Sequence, residues 1–202
     1  MSRLVLQQFQ GAGLEPVDLT IEAGECVTLT GNSGSGKTRL LRAIADLDPH
    51  SGQAWVGQQA VAETLPTAWR RQVGLLPAES HWWHEQVGEH FTGPAFPLLA
   101  ALGLTDDCLK WQIARLSSGE RQRLALARLL DRQPGVLLLD EPTANLDPEN
   151  SARVERLVRH YAEQQAAAVL WVSHDPQQRR RVGRRHLIIR GQRIETEPRE
   201  WN

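Results

Sequence analysis

The sequence predicts an α/β fold in which residues 1–202 form one domain, with an N-terminal antiparallel β region and a small inserted helical lobe. Three observations lead to this class. Short apolar segments alternate with helical patterns, a glycine-rich loop separates one strand from a helix, and the composition changes between residues 79 and 115. With 41% hydrophobic and 23% charged residues, the composition is that of a globular protein and argues against disorder.

The elements can be placed in order along the chain. Glycines and prolines separate short N-terminal strands at 4–8, 17–21 and 26–30, and a helix at 38–45 and strands at 52–62 and 73–76 follow. Residues 79–115 carry three tryptophans and predict the helical lobe, which extends over about 79–130 and includes a helix at 124–130. A buried strand at 136–140, a helix that opens at Asp147, a strand at 169–173 and a hairpin at 187–195 complete the core.

Charge and cysteine content exclude several classes of protein. The net charge is −1, so no global basic field attracts nucleic acid or acidic lipid. Cys26 and Cys108 are far apart and form no C-x-x-C, which argues against a disulfide framework or a zinc site. The N-terminus lacks a signal-peptide pattern, and no apolar run approaches the ~20 residues of a membrane span. We therefore expect a cytoplasmic chain that reaches a membrane only through a partner.

Residues 31–38 match the phosphate-binding pattern G-x-x-x-x-G-K-[ST] between a predicted strand and a predicted helix. The glycines let backbone N–H groups point at anionic oxygens, and the helix N-terminus adds partial positive charge. Lys37 is one of two lysines among 23 basic residues and supplies a compact charge for the β- and γ-phosphates, while Thr38 offers a hydroxyl to Mg²⁺. A flexible turn with a surface lysine is the weaker alternative. The predicted phosphate ligands are Gly31, Asn32, Ser33, Gly34, Ser35, Gly36, Lys37 and Thr38.

Two acids follow the buried strand at 136–140. Because a phosphate-binding loop is present, Asp140 at the strand end is predicted to reach the Mg²⁺ shell. Glu141 is then placed to accept a proton from a water that attacks the γ-phosphate. The pair favours nucleotide hydrolysis over nucleotide storage.

A further motif, LSSGERQR, begins at Leu116 and carries a capping box in which Ser117 is the N-cap and Glu120 lies three residues on. The glycine-rich loop, then LSSGERQRLALAR, VLLLDEPTANLD and WVSHD, resemble the ATP-binding subunits of ABC transporters in order and spacing over nearly the whole chain. The usual signature of that family is LSGGQ, and this sequence has Ser118 and Glu120 at two of its positions.

The resemblance implies a P-loop NTPase core that uses ATP and Mg²⁺, with two copies of the chain arranged head to tail. It implies that the signature (Ser117, Ser118, Gly119 and Glu120) contacts ATP bound by the second copy, chiefly through Ser117 and Gly119. It further implies that Asp147 lies in a loop that crosses the dimer interface and that His174 contacts the γ-phosphate. Phe9, the aromatic residue upstream of the loop, either stacks on the nucleotide base or is a core residue.

The chain departs from the family at Ala78, where a glutamine normally contacts Mg²⁺ and the attacking water. Glu79, one residue on, is the candidate to supply an oxygen to Mg²⁺ instead. The lobe after Ala78 is the surface that normally docks on a transmembrane partner. Trp82 and Trp83 in it are either partner anchors or core residues.

The resulting expectation is an ATP hydrolase that powers a separate membrane permease and lies on the inner face of the membrane through that permease. One alternative is a soluble ABC ATPase that acts on nucleic acid or ribosomes. The arginines between residues 179 and 185 are its only support, and a solvated helix face explains them better, so no nucleic acid is expected. The other alternative is a weakly hydrolysing regulatory subunit, because of Ala78.

His81, His84 and His90 could bind a metal, but solvated histidines are the more ordinary explanation.

Overall fold

The structure is a computed structural model, and it describes residues 2–11, 13–93 and 95–197. The last five residues of the predicted domain of residues 1–202 lie outside the described residues. The N-terminal part forms an antiparallel sheet in the order β2-β1-β4-β5. Its strands are β1 (Leu4–Gly11), β2 (Val17–Ile21), β4 (His50–Val56) and β5 (Gln59–Ala60). The predicted antiparallel β region is thereby confirmed.

The second sheet has six strands in the order β10-β9-β3-β8-β7-β6. They are β3 (Cys26–Gly31), β6 (Val73–Leu76), β7 (Val136–Asp140), β8 (Ala168–Val172), β9 (Arg185–Arg190) and β10 (Arg193–Thr196). All pairs are parallel except the closing β9–β10 hairpin. The carboxyl ends of β3, β6, β7 and β8 therefore share one edge of the sheet, which is where α/β proteins bind ligands.

Among the described residues, six α-helices lie between these strands. They are α1 (Lys37–Ile44), α2 (Pro66–Gln72), α3 (Phe96–Ala101), α4 (Ser118–Asp131), α5 (Pro148–Gln165) and α6 (Pro176–Val182). Helix α2 is absent from the sequence prediction, whereas α3 lies within the predicted helical lobe and α6 carries the arginines predicted to lie on a helix face, both without predicted bounds. Each is seven residues or fewer and has a proline in its first turn, a position where the fixed φ of proline favours helix.

The parallel sheet separates two apolar clusters. On β7, Val136 and Leu138 face the cluster that includes the antiparallel sheet and α1. Leu137 and Leu139 face the other cluster, which includes α4, α5 and the lobe. Because alternate side chains of a strand point to opposite faces, a strand buried on both faces is apolar, as β8 is throughout and β7 is up to its last residue, Asp140.

The lobe is built mainly from single helical turns at Val87–His90, Asp106–Lys110 and Ile113–Arg115, with α3 between them and α4 after them. Val87, Leu99 and Cys108 of the lobe pack in the same cluster as Leu139 of the sheet. The lobe is therefore attached to the sheet through apolar packing. Within the described ranges, no helix has the length and apolar character needed to cross a membrane.

Candidate active site

The glycine-rich loop joins β3 to α1 and takes backbone conformations that suit glycine. Gly34 has φ 76° and Gly36, the N-cap residue of α1, has φ 99°; both are left-handed. The Lys37 ammonium donates to the carbonyl oxygens of Gly31 and Asn32, each at 2.9 Å. The lysine is thereby held against the backbone of the loop, and only 7% of its surface is exposed.

Two features of this loop suit the phosphates of ATP. The Ser35 hydroxyl is buried and has no hydrogen-bond partner in the described structure, although buried polar groups are almost always paired. Helix α1 also begins without a side-chain cap and without an acid in its first turn, so its N-terminal N–H groups have no competing carboxylate. The residues present therefore fit a bound polyphosphate.

Two predicted magnesium ligands lie side by side. The Thr38 hydroxyl donates to Asp140 Oδ2 at 2.6 Å, although the two residues are 102 positions apart in sequence. Asp140 is only 3% exposed at the end of β7. A hydroxyl beside a carboxylate is a set of hard oxygen donors, and it fits Mg²⁺.

Ala78 and Glu79 follow β6, the strand next to β7. Leu76 is paired with Leu139, so the chain beyond Leu76 leaves the sheet beside Asp140. Both Ala78 and Glu79 are exposed there. The Glu79 carboxylate is thus on the correct edge of the sheet, and its role as a magnesium ligand stays a prediction.

Glu141 and His174 form the second polar pair at this edge. His174 Nε2 lies 3.0 Å from Glu141 Oε1, and both side chains are partly exposed. The backbone of Glu141 has φ 47°, a left-handed conformation that is unusual for a residue with a side chain. Its N–H donates to the Val172 carbonyl at 3.1 Å, which ties the turn after β7 to the end of β8.

The signature turn lies at the start of α4, and its predicted capping box is confirmed. Ser117 Oγ accepts from the Glu120 N–H at 3.2 Å, while the Ser117 N–H and hydroxyl donate to Glu120 Oε2 at 2.9 and 2.8 Å. These hydrogen bonds, from the backbone first and the hydroxyl second, hold the pKa of Glu120 below its ordinary value. Ser117 and Ser118 are exposed.

The signature packs against the loop that contains Asp147. A Cβ on Gly119 would lie 3.2 Å from both the Asn145 carbonyl oxygen and Leu146 Cδ2, so the absence of a side chain allows this close approach. Asp147 is the N-cap of α5 and accepts from the Asn150 N–H at 2.8 Å. These hydrogen bonds with Asn150, the backbone one first, lower the pKa of Asp147.

Phe9 lies in the core and presents no surface to a nucleotide base. Only 1% of it is exposed, and its ring stacks on His50 with centroids 4.9 Å apart. Of the two predicted roles, the structure shows the core role. The reason is the position of Phe9 on β1, where it belongs to the apolar cluster between that sheet and α1.

The arginines between 179 and 185 are mostly exposed, as predicted for a solvated face, and several of them are held in ion pairs. Arg179 is buried and pairs with Glu197, Arg181 pairs with Glu155, and Arg185 pairs with Glu25. Those guanidinium groups already have carboxylate partners within the chain. The sequence-based expectation missed this because the partner acids are distant in sequence.

The histidine and tryptophan segment of the lobe is organised around His90. Its Nε2 accepts from the N–H groups of Trp83 and His84, each at 3.1 Å, and its Nδ1 is 3.0 Å from the Gln86 carbonyl oxygen. His90 is therefore buried and bonded to backbone, not solvated as expected. Within residues 2–11, 13–93 and 95–197, no group of three histidine, cysteine or acidic side chains is arranged to hold a metal.

Trp82 and Trp83 have different environments. The Arg128 guanidinium lies over both rings, 4.2 Å from the centroid of Trp82 and 4.8 Å from that of Trp83. Burial lowers the pKa of Arg128 to about 10. Trp82 packs against the lobe cluster, whereas Trp83 is 59% exposed. Trp82 thus has the packing role of the two that were predicted, and the role of Trp83 as a partner anchor stays a prediction.

Sequence reasoning missed a buried polar group behind the site, formed by Thr143, Glu155 and Gln178. Glu155 lies on α5 beside the apolar positions, and Gln178 stands within an arginine-rich stretch that looks solvated. A charged residue next to the apolar stripe of α5 is the only signal in the sequence.

The site defines a P-loop nucleotide hydrolase, because one edge of a parallel sheet carries a polyphosphate loop, a hydroxyl–carboxylate pair and a glutamate beside a histidine.

Comparison with known proteins gives the family. The sequence model of the ABC transporter family matches residues 14–144. An aliphatic sulfonates import ATP-binding protein of Frankia alni is 38% identical over 90% of this chain and 73% of its own length. A probable iron export ATP-binding protein of Escherichia coli is 34% identical over 80% of this chain and 78% of its own length.

The chain belongs to the ABC transporter family, as an ATP-hydrolysing subunit that powers transport by a separate permease. A solved structure of an ATP-binding cassette, described as a dimer in a post-hydrolysis state with ADP and Pi, has the same fold. It matches with a TM-score of 0.82 and 23% identity over 96% of this chain and 98% of that chain.

Proposed function

We propose that this chain hydrolyses Mg-ATP at a site that a second copy completes, and that it works at the cytoplasmic face of a membrane. The observation that carries the proposal is the pairing of Thr38 with Asp140 at 2.6 Å and of Glu141 with His174 at 3.0 Å at one sheet edge. These contacts assemble the phosphate loop, the acids and the histidine from three separate parts of the chain.

The loop and its lysine bind the phosphates. The N–H groups of residues 31–38, the Ser35 hydroxyl and the Lys37 ammonium supply donors to the phosphate oxygens. Thr38 and Asp140, with Glu79 as a further candidate, would hold Mg²⁺, which when bound neutralises charge on the β- and γ-phosphates.

Glu141 is the general base. Its carboxylate accepts a proton from the attacking water, the water oxygen bonds to the γ-phosphorus, and the bond to the departing ADP oxygen breaks. His174 lies against that carboxylate at 3.0 Å and orients it, and its half-exposed ring remains available to a γ-phosphate oxygen.

A second copy provides the signature. Ser117 and Ser118 are exposed at the start of a 14-residue helix, whose N-terminus attracts anions. In a head-to-tail dimer, Ser117 and Gly119 of each copy face the γ-phosphate on the other, and the Asp147 loop, which packs against Gly119, lies at the same interface. ATP thereby joins the copies and hydrolysis releases them.

The lobe is the surface proposed for the permease. Trp83 and Phe96 are its large exposed apolar side chains, 59% and 45% exposed. Tryptophan is a frequent anchor of protein interfaces. Docking of this surface on a permease would hold the chain at the inner face of the membrane.

The test uses Glu141→Gln with light scattering in the presence and absence of Mg-ATP. The variant binds ATP without hydrolysing it, so we expect a stable dimer with ATP and a monomer without it. Glu195→Gln, an exposed glutamate on β10, is the control and should hydrolyse ATP like the unaltered chain. A Glu141→Gln chain that stays monomeric under saturating Mg-ATP would contradict the proposal.

A further inference from the structure

A buried polar bridge connects the loop after Glu141 to the helix after His174. Gln178 of α6 donates through Nε2 to Thr143 Oγ1 at 2.8 Å and to Glu155 Oε1 at 2.9 Å. The Thr143 hydroxyl also lies 3.2 Å from Gln178 Oε1. Gln178 is 4% exposed and Glu155 is 5% exposed, so these two side chains are buried, and Thr143 is partly buried.

Arg181 completes the bridge by neutralising Glu155. Its Nε and Nη2 donate to the two oxygens of that carboxylate at 3.0 and 2.8 Å. Burial alone would raise the pKa of Glu155, but the hydrogen bonds from Arg181 and Gln178 outweigh it and lower the pKa. The carboxylate is therefore ionised and fully paired, which is the condition under which a buried polar network stiffens its surroundings.

The bridge ends close to the side chains of Glu141 and His174. Thr143 lies two residues after Glu141, and Gln178 lies four residues after His174. Glu141, His174, Thr143, Gln178 and Glu155 all line one cleft of about 680 Å³ between the loop after β7 and the start of α6.

Glu141 needs such a support. Its left-handed backbone, with φ 47°, is strained for a residue with a side chain and persists only where the surrounding structure holds it. The Glu141 N–H bond to Val172 holds one side of the turn, and the Thr143–Gln178 bond holds the other.

We propose that Gln178 is a positioning residue for ATP hydrolysis, which through Thr143 and the Glu155–Arg181 ion pair fixes Glu141 relative to His174. This inference rests on the proposed role of Glu141 as general base. Gln178 acts through Glu141 and sets the geometry of that carboxylate.

The experiment compares Gln178→Leu, Thr143→Val and the double variant with the unaltered chain. Leucine removes the amide at similar volume, and Glu155 keeps Arg181 as its partner, so folding should survive. Thr64→Val is the matched control, because it removes a hydroxyl bonded to the Ala60 carbonyl at 2.7 Å outside the site. The measured quantities are kcat, KM for ATP, equilibrium ATP affinity and melting temperature.

We expect kcat to fall about tenfold in each single variant, while KM and ATP affinity change by less than about twofold. The double variant should be no slower than the slower single variant, because both changes break the same bridge. Thr64→Val should keep the unaltered kcat.

An unchanged kcat in Gln178→Leu would overturn the inference, as would a loss of ATP affinity that parallels a loss of melting temperature in every variant. Additive losses in the double variant would also overturn it. Failure of the proposed function looks different, because the unaltered chain would then show no turnover that depends on Glu141.

Discussion

The N-termini of α1 and of α4 are both predicted to contact the γ-phosphate of ATP, α1 in the copy that binds the ATP and α4 in the second copy. The two N-termini differ in whether their hydrogen-bond donors already have partners within the chain. At α1 the loop leaves donors open, since Ser35 Oγ has no partner and the first turn carries no acid. At α4 the N–H and the hydroxyl of the N-cap residue Ser117 are occupied, because both donate to the Glu120 carboxylate in the first turn.

This difference in donor pairing indicates that the two N-termini have different functions in ATP binding. An N-terminus with open donors and a lysine binds an anion by itself. An N-terminus already capped by a carboxylate stabilises its own helix, and a phosphate must displace or reorient that carboxylate to bind. We infer that α1 provides the ATP affinity of the single chain, whereas α4 acts only once ATP is presented by the other copy.

The largest effect is expected on ATP affinity, when the lysine at the N-terminus of α1 is removed. Lys37→Ala removes the ammonium beside the Gly31 and Asn32 carbonyls, and we expect ATP affinity to fall by at least about 100-fold. Lys110→Ala is the natural control, because the other lysine lies exposed on the lobe and pairs with Asp107. Calorimetric titration with Mg-ATP measures both, and equal affinities for the two variants would contradict this assignment.

A smaller effect is expected on ATP-driven dimerisation, when the carboxylate that caps α4 is neutralised. Glu120→Gln removes a negative charge from the place where the γ-phosphate of the second copy would arrive. In a Glu141→Gln background, we expect ATP-driven dimerisation to tighten about threefold. Glu89→Gln is matched to it, because Glu89 also closes a capping box, with the Gln86 N–H at 3.0 Å, and lies in the lobe. Weaker dimerisation of the Glu120→Gln chain, measured by light scattering, would show that the carboxylate assists the contact.

The smallest effect is the pH dependence of the same cap. Because the pKa of Glu120 is lower in the folded chain, its contribution to stability is present above the unfolded pKa, near 4.5, and is lost as pH falls through the folded value. The melting temperature of the unaltered chain should therefore drop more steeply than that of Glu120→Gln below about pH 4.5. Parallel curves over the range from pH 6 to pH 3 would exclude a stabilising role for the ionised cap.

The sequence was most informative where local chemistry decides the structure. Strands at 17–21, 73–76 and 136–140 lie where they were predicted, because apolar runs between turn residues specify buried strands. The Thr38–Asp140 contact could also be anticipated, since a P-loop and a strand-end acid share one edge of the sheet.

Long-range pairing explains what the sequence did not predict. Phe9 could be assigned to the core only once β1 was known to face α1. The arginines at 179, 181 and 185 find carboxylates on other elements, and Gln178 meets Thr143 only because α6 packs behind the loop after β7. Each of these depends on how distant segments pack, which local pattern does not specify.

The central claim is that each ATP site combines the P-loop of one copy with the signature of the other. The most direct measurement mixes two inactive chains, Lys37→Ala and Ser117→Glu, and follows ATP hydrolysis. A mixed dimer has one site in which both halves are intact. An equimolar mixture should therefore recover turnover, up to about a quarter of the unaltered rate, because half of the dimers are mixed and each has one intact site of two. If mixed dimers form by light scattering but the mixture hydrolyses no more ATP than either chain alone, the claim is contradicted.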